Sequence, residues 1–563
     1  MKKGIFEKRR FGVGCNRSTQ LSIILAASLL VSPALALSGQ HDHDHDHNEL
    51  AVEGDSLGAV DFGVACETDV QSTFDRGLKY LHHMMYELAR DTFEEVLEED
   101  SSCAMAHWGV ATTLFQPLWG TRPDEDILAR GSKAIERAAD LGGGDERETL
   151  LIEATAAFFD PDEDAGYGDR IGGWIEGMEA AYESVPEDHD VAALYALTRL
   201  TLGQQASDPH PLHDEADEVL VGIIEENPEH PGAVHYLIHS DDVEGRQHNH
   251  LEIVETYSDI APRTAHALHM PSHIYVRTGD WREVIDWNRK SGQAALEHPV
   301  NGTVSLHYIH AQDYKVYGYL QKGDDERADE VAAESFEQGE LEPSTATAFH
   351  VATIPARIAV ERRDWQAAAE LAPRKIEDVP WDAPMGLWAE AQSMLAIGMG
   401  ALHTGDLEAG GEALDRIKAL RKTALEEGED SFAHYIEIEE SILCGWLAWA
   451  DDRPGDAVDF LEKAVALEKD IEKHPITPGA LMPPRESLGD LLMELGHAEQ
   501  ALEAYRASDE VWPRRFNTVL GAARAADAAG KDEAAREYYA ELLELAGDSE
   551  REHVAEARSY IED

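Results

Sequence analysis

Past residue 70, apolar positions recur three and four residues apart. This is the period of an amphipathic helix, and no convincing strand alternation interrupts it. The segments run for about 12 to 17 residues and stop at short turns of Gly, Asp and Pro, residues that end one helix and cap the next. Gly279-Asp280-Trp281, Gly323-Asp324-Asp325, Arg363-Asp364-Trp365, Gly405-Asp406-Leu407 and Gly455-Asp456-Ala457 are turns of this kind. Each separates a first helix from a second. The first clear unit is Phe74 to Asp100, with Tyr86, Ala89 and Phe93 in second-helix positions.

A longer period lies over the short one. Ala501 and Tyr505 recur as Ala535 and Tyr539, 34 residues later, and Leu488-Gly489 precedes Ala501 by twelve residues. Small residues at fixed points let two helices approach closely, and the aromatic fills the gap between them. A 34-residue period with this spacing is the tetratricopeptide pattern. The chain is therefore expected to be all-α, a tetratricopeptide-type α-α superhelical solenoid over residues 66–563. About twelve antiparallel helical pairs should wind in a right-handed superhelix, least regular over 140–190, each burying its apolar face only against its neighbours.

The histidines follow the long period. His235 and His239 lie in AVHYLIH, His266, His269 and His273 in HALHMPSH, His307 and His310 in HYIHAQDY, and His350 further on. Adding 34 to 235 and 239 gives 269 and 273, so these pairs occupy equal positions of successive repeats. Aligning Gly279 with Gly323 puts His310 in register with His266, Asp313 with His269 and Tyr317 with His273. Aligning Trp281 with Trp365 puts His350 in register with His266 and Pro355 with Pro271. All fall on first helices, which line the concave surface of such a solenoid, and residues three, four and seven apart share one helix face. Packed helices lie about 8–10 Å apart, so rings from neighbours can meet at one ion through bonds of about 2.0–2.1 Å. His235, His239, His269 and His273 are expected to face one groove, with His266, His307, His310 and His350 close by as further ligands or supports. Asp241 or Asp313 would orient the rings.

Imidazole-rich sites suit zinc, copper or nickel. Met270 beside His269, and Met84-Met85 after His82-His83, would tilt the choice toward copper if they faced the groove. Two roles without metal compete with this one. Buried imidazoles can donate to carbonyls and stack on Tyr236, Tyr275 and Tyr308, and a concave groove can bind a peptide without metal.

The N-terminus adds a compartment. Lys2, Lys3, Lys8, Arg9 and Arg10 precede an apolar run from Leu21 to Ala36, and Ala34-Leu35-Ala36 gives the small-x-small cleavage pattern. Residues 1–36 thus read as a signal peptide, and the mature chain as exported, periplasmic or extracellular. No later stretch reaches the length of a membrane span. Residues 37–65 read as a flexible His/Asp-rich segment. Its HDHDHDHN run (His41, His43, His45, His47) is either a metal-scavenging tail or a solvated linker. In an oxidising compartment Cys66 and Cys103 are expected to form a disulfide that ties the N-terminal segment to the first helical pair, while Cys444, in SILCGWLAWA, reads as core.

Charge narrows the partners. Against 47 Lys plus Arg the chain carries 111 Asp plus Glu, a formal charge of −64, spread along its length. Phosphate backbones and anionic membrane surfaces are repelled by such a surface. No GxSxG, P-loop, dinucleotide fingerprint or HExxH is present, which points away from catalysis. A metal-dependent hydrolase stays open only through Asp241, Asp242 and Asp313, the carboxylates nearest the histidines.

The runs CAMAHWG (103–109), HPGAVHYLIH (230–239), IAPRTAHALHMPSHIYVRTGDW (260–281) and HAQDYKVYGYLQKGD (310–324) resemble a widespread family of exported bacterial tetratricopeptide-repeat proteins. The stretch from Pro484 through Arg515-Phe516-Asn517 to Tyr538-Tyr539 is similar too, so the resemblance covers nearly the whole mature chain. HxLHMPSH is its most specific part. The resemblance implies fold and export. The family has no settled activity, so no catalytic residue is carried over. Its usual Tyr after CAMA is His107 here, and its single His near the first turn is the pair His82-His83, which puts any role for His107 and His83 in doubt. The combined expectation is an exported repeat protein whose concave groove carries a His-rich site for a transition metal (zinc or copper) or a small polar ligand. The alternatives are a peptide- or protein-binding scaffold and a metal-dependent hydrolase.

Overall fold

A computed structural model describes residues 56–562 apart from residues 68, 120–121, 160–164, 205, 207, 374 and 378. The expected signal peptide and the HDHDHDHN run lie outside the described residues. Within them are 26 α-helices and no strand, only the isolated bridges Val300–Thr303 and Val304–Leu341. Successive helices pack as hairpins, from Gln71–His82 with Tyr86–Glu99 to Phe516–Ala528 with Asp532–Ala546, and Glu552–Glu562 covers the last pair. The chain is an α-α superhelical solenoid of tetratricopeptide type.

The turns form for the reason their residues give. Gly279, Gly323 and Gly405 end their first helices in the left-handed region (φ 70°, 66° and 90°), where a side chain is strained. Two of the following aspartates cap the second helices: Asp324 accepts from Arg327 N (3.2 Å) and Asp406 from Ala409 N (3.0 Å), whereas the Asp280 side chain makes no such bond. At the second-helix positions Ala89, Ala501 and Ala535 are fully buried, beside Phe93, Tyr505 and Tyr539.

Two features depart from a simple array in which pairs touch only neighbours. First, the superhelix curls until its ends meet its middle. Trp281 Nε1 donates to Arg514 O (2.7 Å), Ser549 Oγ to Gly323 O (2.8 Å), and Arg515 pairs with Glu361 (2.8 Å) and Glu486 (3.0 Å). At the other end Gln71–His82 packs on Pro231–Asp241. Second, the chain fills its own groove. Residues 469–483, linking Pro454–Glu468 to Pro484–Glu494, run over the inner surface. Lys473 Nζ reaches Asp242 (2.9 Å), Pro475 O accepts from Tyr314 OH (3.1 Å), and Gly479 O accepts from Arg357 Nη1 (3.3 Å).

Residues 56–65, expected within the flexible N-terminal segment, are packed instead. Phe62 is buried and stacks on Phe74 (5.8 Å), and Ala59 N donates to Glu229 O (2.8 Å). Cys66 and Cys103 are bonded, with Cα atoms 4.8 Å apart, tying this strap to the helix Ala104–Thr112. Cys444 is buried in Asp430–Ala450. No helix among the described residues is long and apolar enough to cross a membrane.

Candidate metal centre

The eight histidines singled out by register sit on four successive first helices. His235 and His239 belong to Pro231–Asp241, and His266 and His269 to Ala265–His269. His273 follows in Pro271–Thr278, where Pro271 interrupts the helix. His307 and His310 belong to Leu306–Gln321, and His350 to Thr345–Glu361. Their rings form one continuous row: His235–His266 5.0 Å, His239–His273 5.6 Å, His266–His307 5.2 Å, His269–His310 4.2 Å and His310–His350 4.8 Å between centroids. All eight are buried, the most exposed being His239 at 8%.

Within the row, two sets of three rings each bring ligand atoms within 4.8 Å of one another: His269, His273 and His310, and His235, His239 and His266. In the first set the surroundings fix where the protons sit. Asn288 donates through Nδ2 to Val284 O (2.8 Å), so its Oδ1 faces His269 Nδ1 (2.6 Å) as an acceptor. The carboxylate of Asp242 accepts from His273 Nδ1 (2.8 Å). Each ring thus carries its proton on Nδ1, and the two Nε2 atoms, 2.9 Å apart, both present lone pairs. His310 follows by relay. Asp313 accepts from His350 Nδ1 (3.0 Å), and His350 Nε2 accepts from His310 Nδ1 (2.8 Å), leaving the lone pair of His310 on Nε2. The Tyr314 ring packs edge-on against His269 (4.5 Å). In the second set His235 Nδ1 donates to His82 O (2.6 Å). Its Nε2, the Nε2 of His239 and both nitrogens of His266 have no hydrogen-bond partner among the described residues.

Burial disfavours the charged form of seven of the rings. It lowers His235 to about 3 and His307 to about 4, and pushes His239, His266, His269 and His310 well below the usual imidazole value, neighbouring rings adding to the effect. His273 is lowered by burial against the pull of Asp242. Burial alone would raise Asp242, but Lys473, Arg277 and His273 hold it well below the carboxylate range; Arg357 and His350 likewise lower Asp313.

A cavity of ≈ 30 Å³ adjoins the row, lined by His239, His266, His273, His310, Trp119 and Met385 among others. One water needs about 10–15 Å³, so there is room for a water or a very small ligand beside an ion. Trp119, from the link before Glu125–Leu141, closes one side with its ring 5.4 Å from His266 and 5.7 Å from His307. The neighbouring carboxylates are already engaged. Asp242 serves His273, Arg277 (2.8 Å) and Lys473, and Asp313 serves His350 and Arg357 (3.0 Å). Neither is placed as a hydrolytic base.

Asp242, not Asp241, orients His273; Asp241 points away to His250 (3.0 Å). The three methionines all belong to apolar clusters, though Met84 and Met85 also line a cavity with Trp119 and His307; the methionine lining the cavity that adjoins the row is Met385. Met270 packs with Val254, Tyr257 and Ile274, Met84 belongs to the core around Phe74 and Phe93, and Met85 lies against Leu268 and Trp287. Two further groups are held largely by other contacts, although His230 Nε2, Asp217 Oδ1 and Asp241 Oδ1 have no hydrogen-bond partner among the described residues. His230 Nδ1 accepts from Ala233 N (3.1 Å), capping its helix, which puts the proton on Nε2, 3.4 Å from Asp190. His82 Nε2 lies 2.9 Å from the same oxygen. Asp217 and Asp241, grouped with His250, have Arg246 on Asp217.

Sequence reasoning missed Trp119, Asn288, Lys473 and His474, the last of which lines the cavity beside the row. Lys473, His474 and Trp119 lie on links without helical period, and Asn288 is on a second helix. Arg277 was readable, standing one helical turn beyond His273.

No family model matches the chain, and no curated protein matches it. Among solved structures, one titled "Crystal structure of APC/C hetero-tetramer Cut9-Hcn1" is similar at 13% identity and TM-score 0.36, over 89% of this chain and 77% of that one. "Human IFIT1 dimer with m7Gppp-AAAA" is similar at 11% identity and TM-score 0.35, over 78% and 90%.

Proposed function

We propose that this is an exported repeat protein that binds a transition metal inside its superhelix, with His269, His273 and His310 as ligands through Nε2. The observation that carries the reading is the pair of Nε2 lone pairs 2.9 Å apart, each on a ring whose Nδ1 proton is already given to another acceptor. Two lone pairs at that distance repel unless a cation lies to one side and is bonded to both. The ordinary cation for three neutral imidazoles is zinc or copper. Asn288, Asp242 and the His350–Asp313 relay hold the rings in orientation, the usual task of groups behind a metal-bound imidazole. The metal would supply Lewis acidity toward a ligand in the adjoining cavity. A peptide filling the same groove would have to displace residues 469–483, so the metal reading is preferred over the scaffold.

The test is metal analysis of the full chain carrying His41→Ala, His43→Ala, His45→Ala and His47→Ala, produced without an affinity tag and dialysed against zinc or copper. Loss of one equivalent of metal on adding His269→Ala and His273→Ala is the expected result. Retention of that metal in the doubly substituted chain would leave these rings a packing role.

A further inference from the structure

The metal site proposed above takes one set of three rings. The other set, His235, His239 and His266, has its own anomaly. Buried polar atoms almost always find partners, yet four ring nitrogens here have none among the described residues: Nε2 of His235, Nε2 of His239, and Nδ1 and Nε2 of His266. A neutral imidazole carries one donor and one acceptor, so His266, 3% exposed, satisfies neither. Packing alone gives no account of this. His266 is surrounded by rings, 5.0 Å from His235, 6.4 Å from His239 and 5.4 Å from Trp119, and edge contacts of that kind replace no hydrogen bond.

We infer that the groove holds a second transition-metal ion, bound by His235, His239 and His266, beside the ion held by His269, His273 and His310. The inference rests on the metal reading above for its neighbour but on different atoms. Zinc takes about four ligands, so a single ion does not use six imidazoles. The two sets are distinct, each closing within 4.8 Å on its own. A tetrahedral ion with bonds of about 2.0–2.1 Å sets its nitrogens about 3.3 Å apart, so nitrogens within 4.8 Å of one another need to draw in by no more than about 1.5 Å. His235 is already oriented, its Nδ1 proton given to His82 O and its Nε2 turned to the set.

The two sets differ in what stands behind them. Asp242 and, through His350, Asp313 back the first set, whereas the hydrogen bond found behind the second is to a backbone carbonyl. With no carboxylate to offset the added charge, the second ion is the more weakly held. The cavity of ≈ 30 Å³ is lined by His239 and His266 of one set and His273 and His310 of the other. It therefore lies where a water or small oxygen-donor ligand would meet both ions.

The experiment is a titration of the full chain, with the four tail histidines replaced by Ala, using zinc with elemental analysis and cobalt(II) for its visible absorption. Two equivalents are expected, the second binding at least tenfold more weakly. His266→Gln should bind one equivalent, His269→Ala/His273→Ala should also bind one, and the combination none. His235→Gln repeats the test should His266→Gln lose its far-UV circular dichroism. One equivalent in the parent, unchanged by His266→Gln or His235→Gln and lost with His269→Ala/His273→Ala, overturns the second site and leaves the first standing. One equivalent removed by His266→Gln but not by His269→Ala/His273→Ala overturns the first and keeps this one. No metal in the parent overturns both.

Discussion

At the scale of single residues, the behaviour of the buried rings gives a signed pH dependence. Burial lowers His235 to about 3 and His307 to about 4, while an unfolded chain protonates its histidines near 6.5. Between those values the unfolded state holds more protons. The stability these rings contribute to the metal-free chain is therefore complete above about pH 6.5 and lost as pH falls toward 3–4. Each such ring contributes about 1.4 kcal/mol per pH unit of slope. Urea unfolding at pH 7.5, 6.0 and 5.0 should give steadily decreasing stability; a flat profile would contradict neutral buried rings. Asn288 offers a second test, because it is uncharged and touches His269 without belonging to the set of ligands. Asn288→Ala should weaken metal binding about 10–100-fold with the helical content retained, as for other groups that orient a ligating imidazole. Unchanged affinity by competition with a chelator would remove Asn288 from the site.

Among the elements, the Gly-Asp turns do two jobs. Gly279 is left-handed, and a Cβ there would stand 2.8 Å from Arg514 Cβ and 2.9 Å from Pro513 O, because the C-terminal pairs pack on this turn. Gly405 is also left-handed but has nothing within 4 Å of the added atom. Gly405→Ala should cost about 1 kcal/mol, the strain of the conformation alone, and Gly279→Ala clearly more, about 2–3 kcal/mol. Equal losses in denaturant unfolding would mean that the closure between residues 279 and 514 is not formed. Most of the elements were legible, since the helical period and the Gly-Asp punctuation are local properties. The row of rings was legible too, because equal positions in successive repeats point the same way: His235, His239, His269 and His273 needed only arithmetic. The rest of the site was not. Trp119 and residues 469–483 reach the groove from links that carry no period. The choice of Asp242 over Asp241 depends on where Pro231–Asp241 ends, which the sequence leaves open by a residue or two.

In the whole molecule, curling of the superhelix turns an inner groove into an interior. His82 and His83 from the first helix meet Tyr236 (3.1 Å) and Tyr257 (2.7 Å) of later repeats, and Arg515 near the other end lies against Tyr317 and Glu361. Pairs far apart in sequence thus pack into shared clusters, such as the one that joins Trp281 and Tyr317 to Phe516 and Tyr539, and unfolding should be more cooperative than for an open array. The strap at residues 56–66 and the Cys66–Cys103 bond secure one end of that closure. Cys66→Ser/Cys103→Ser should cost about 2–4 kcal/mol by unfolding, with metal uptake by the proposed sites unchanged. The histidines end up where water is scarce and carboxylates are committed, which favours holding a cation over hydrolysis. The most direct measurement of that claim is anomalous X-ray scattering at the zinc edge from crystals of the full chain grown with zinc. A peak within bonding distance of Nε2 of His269, His273 and His310 is the predicted result. Anomalous signal confined to surface carboxylates, with none beside these three atoms, would contradict it.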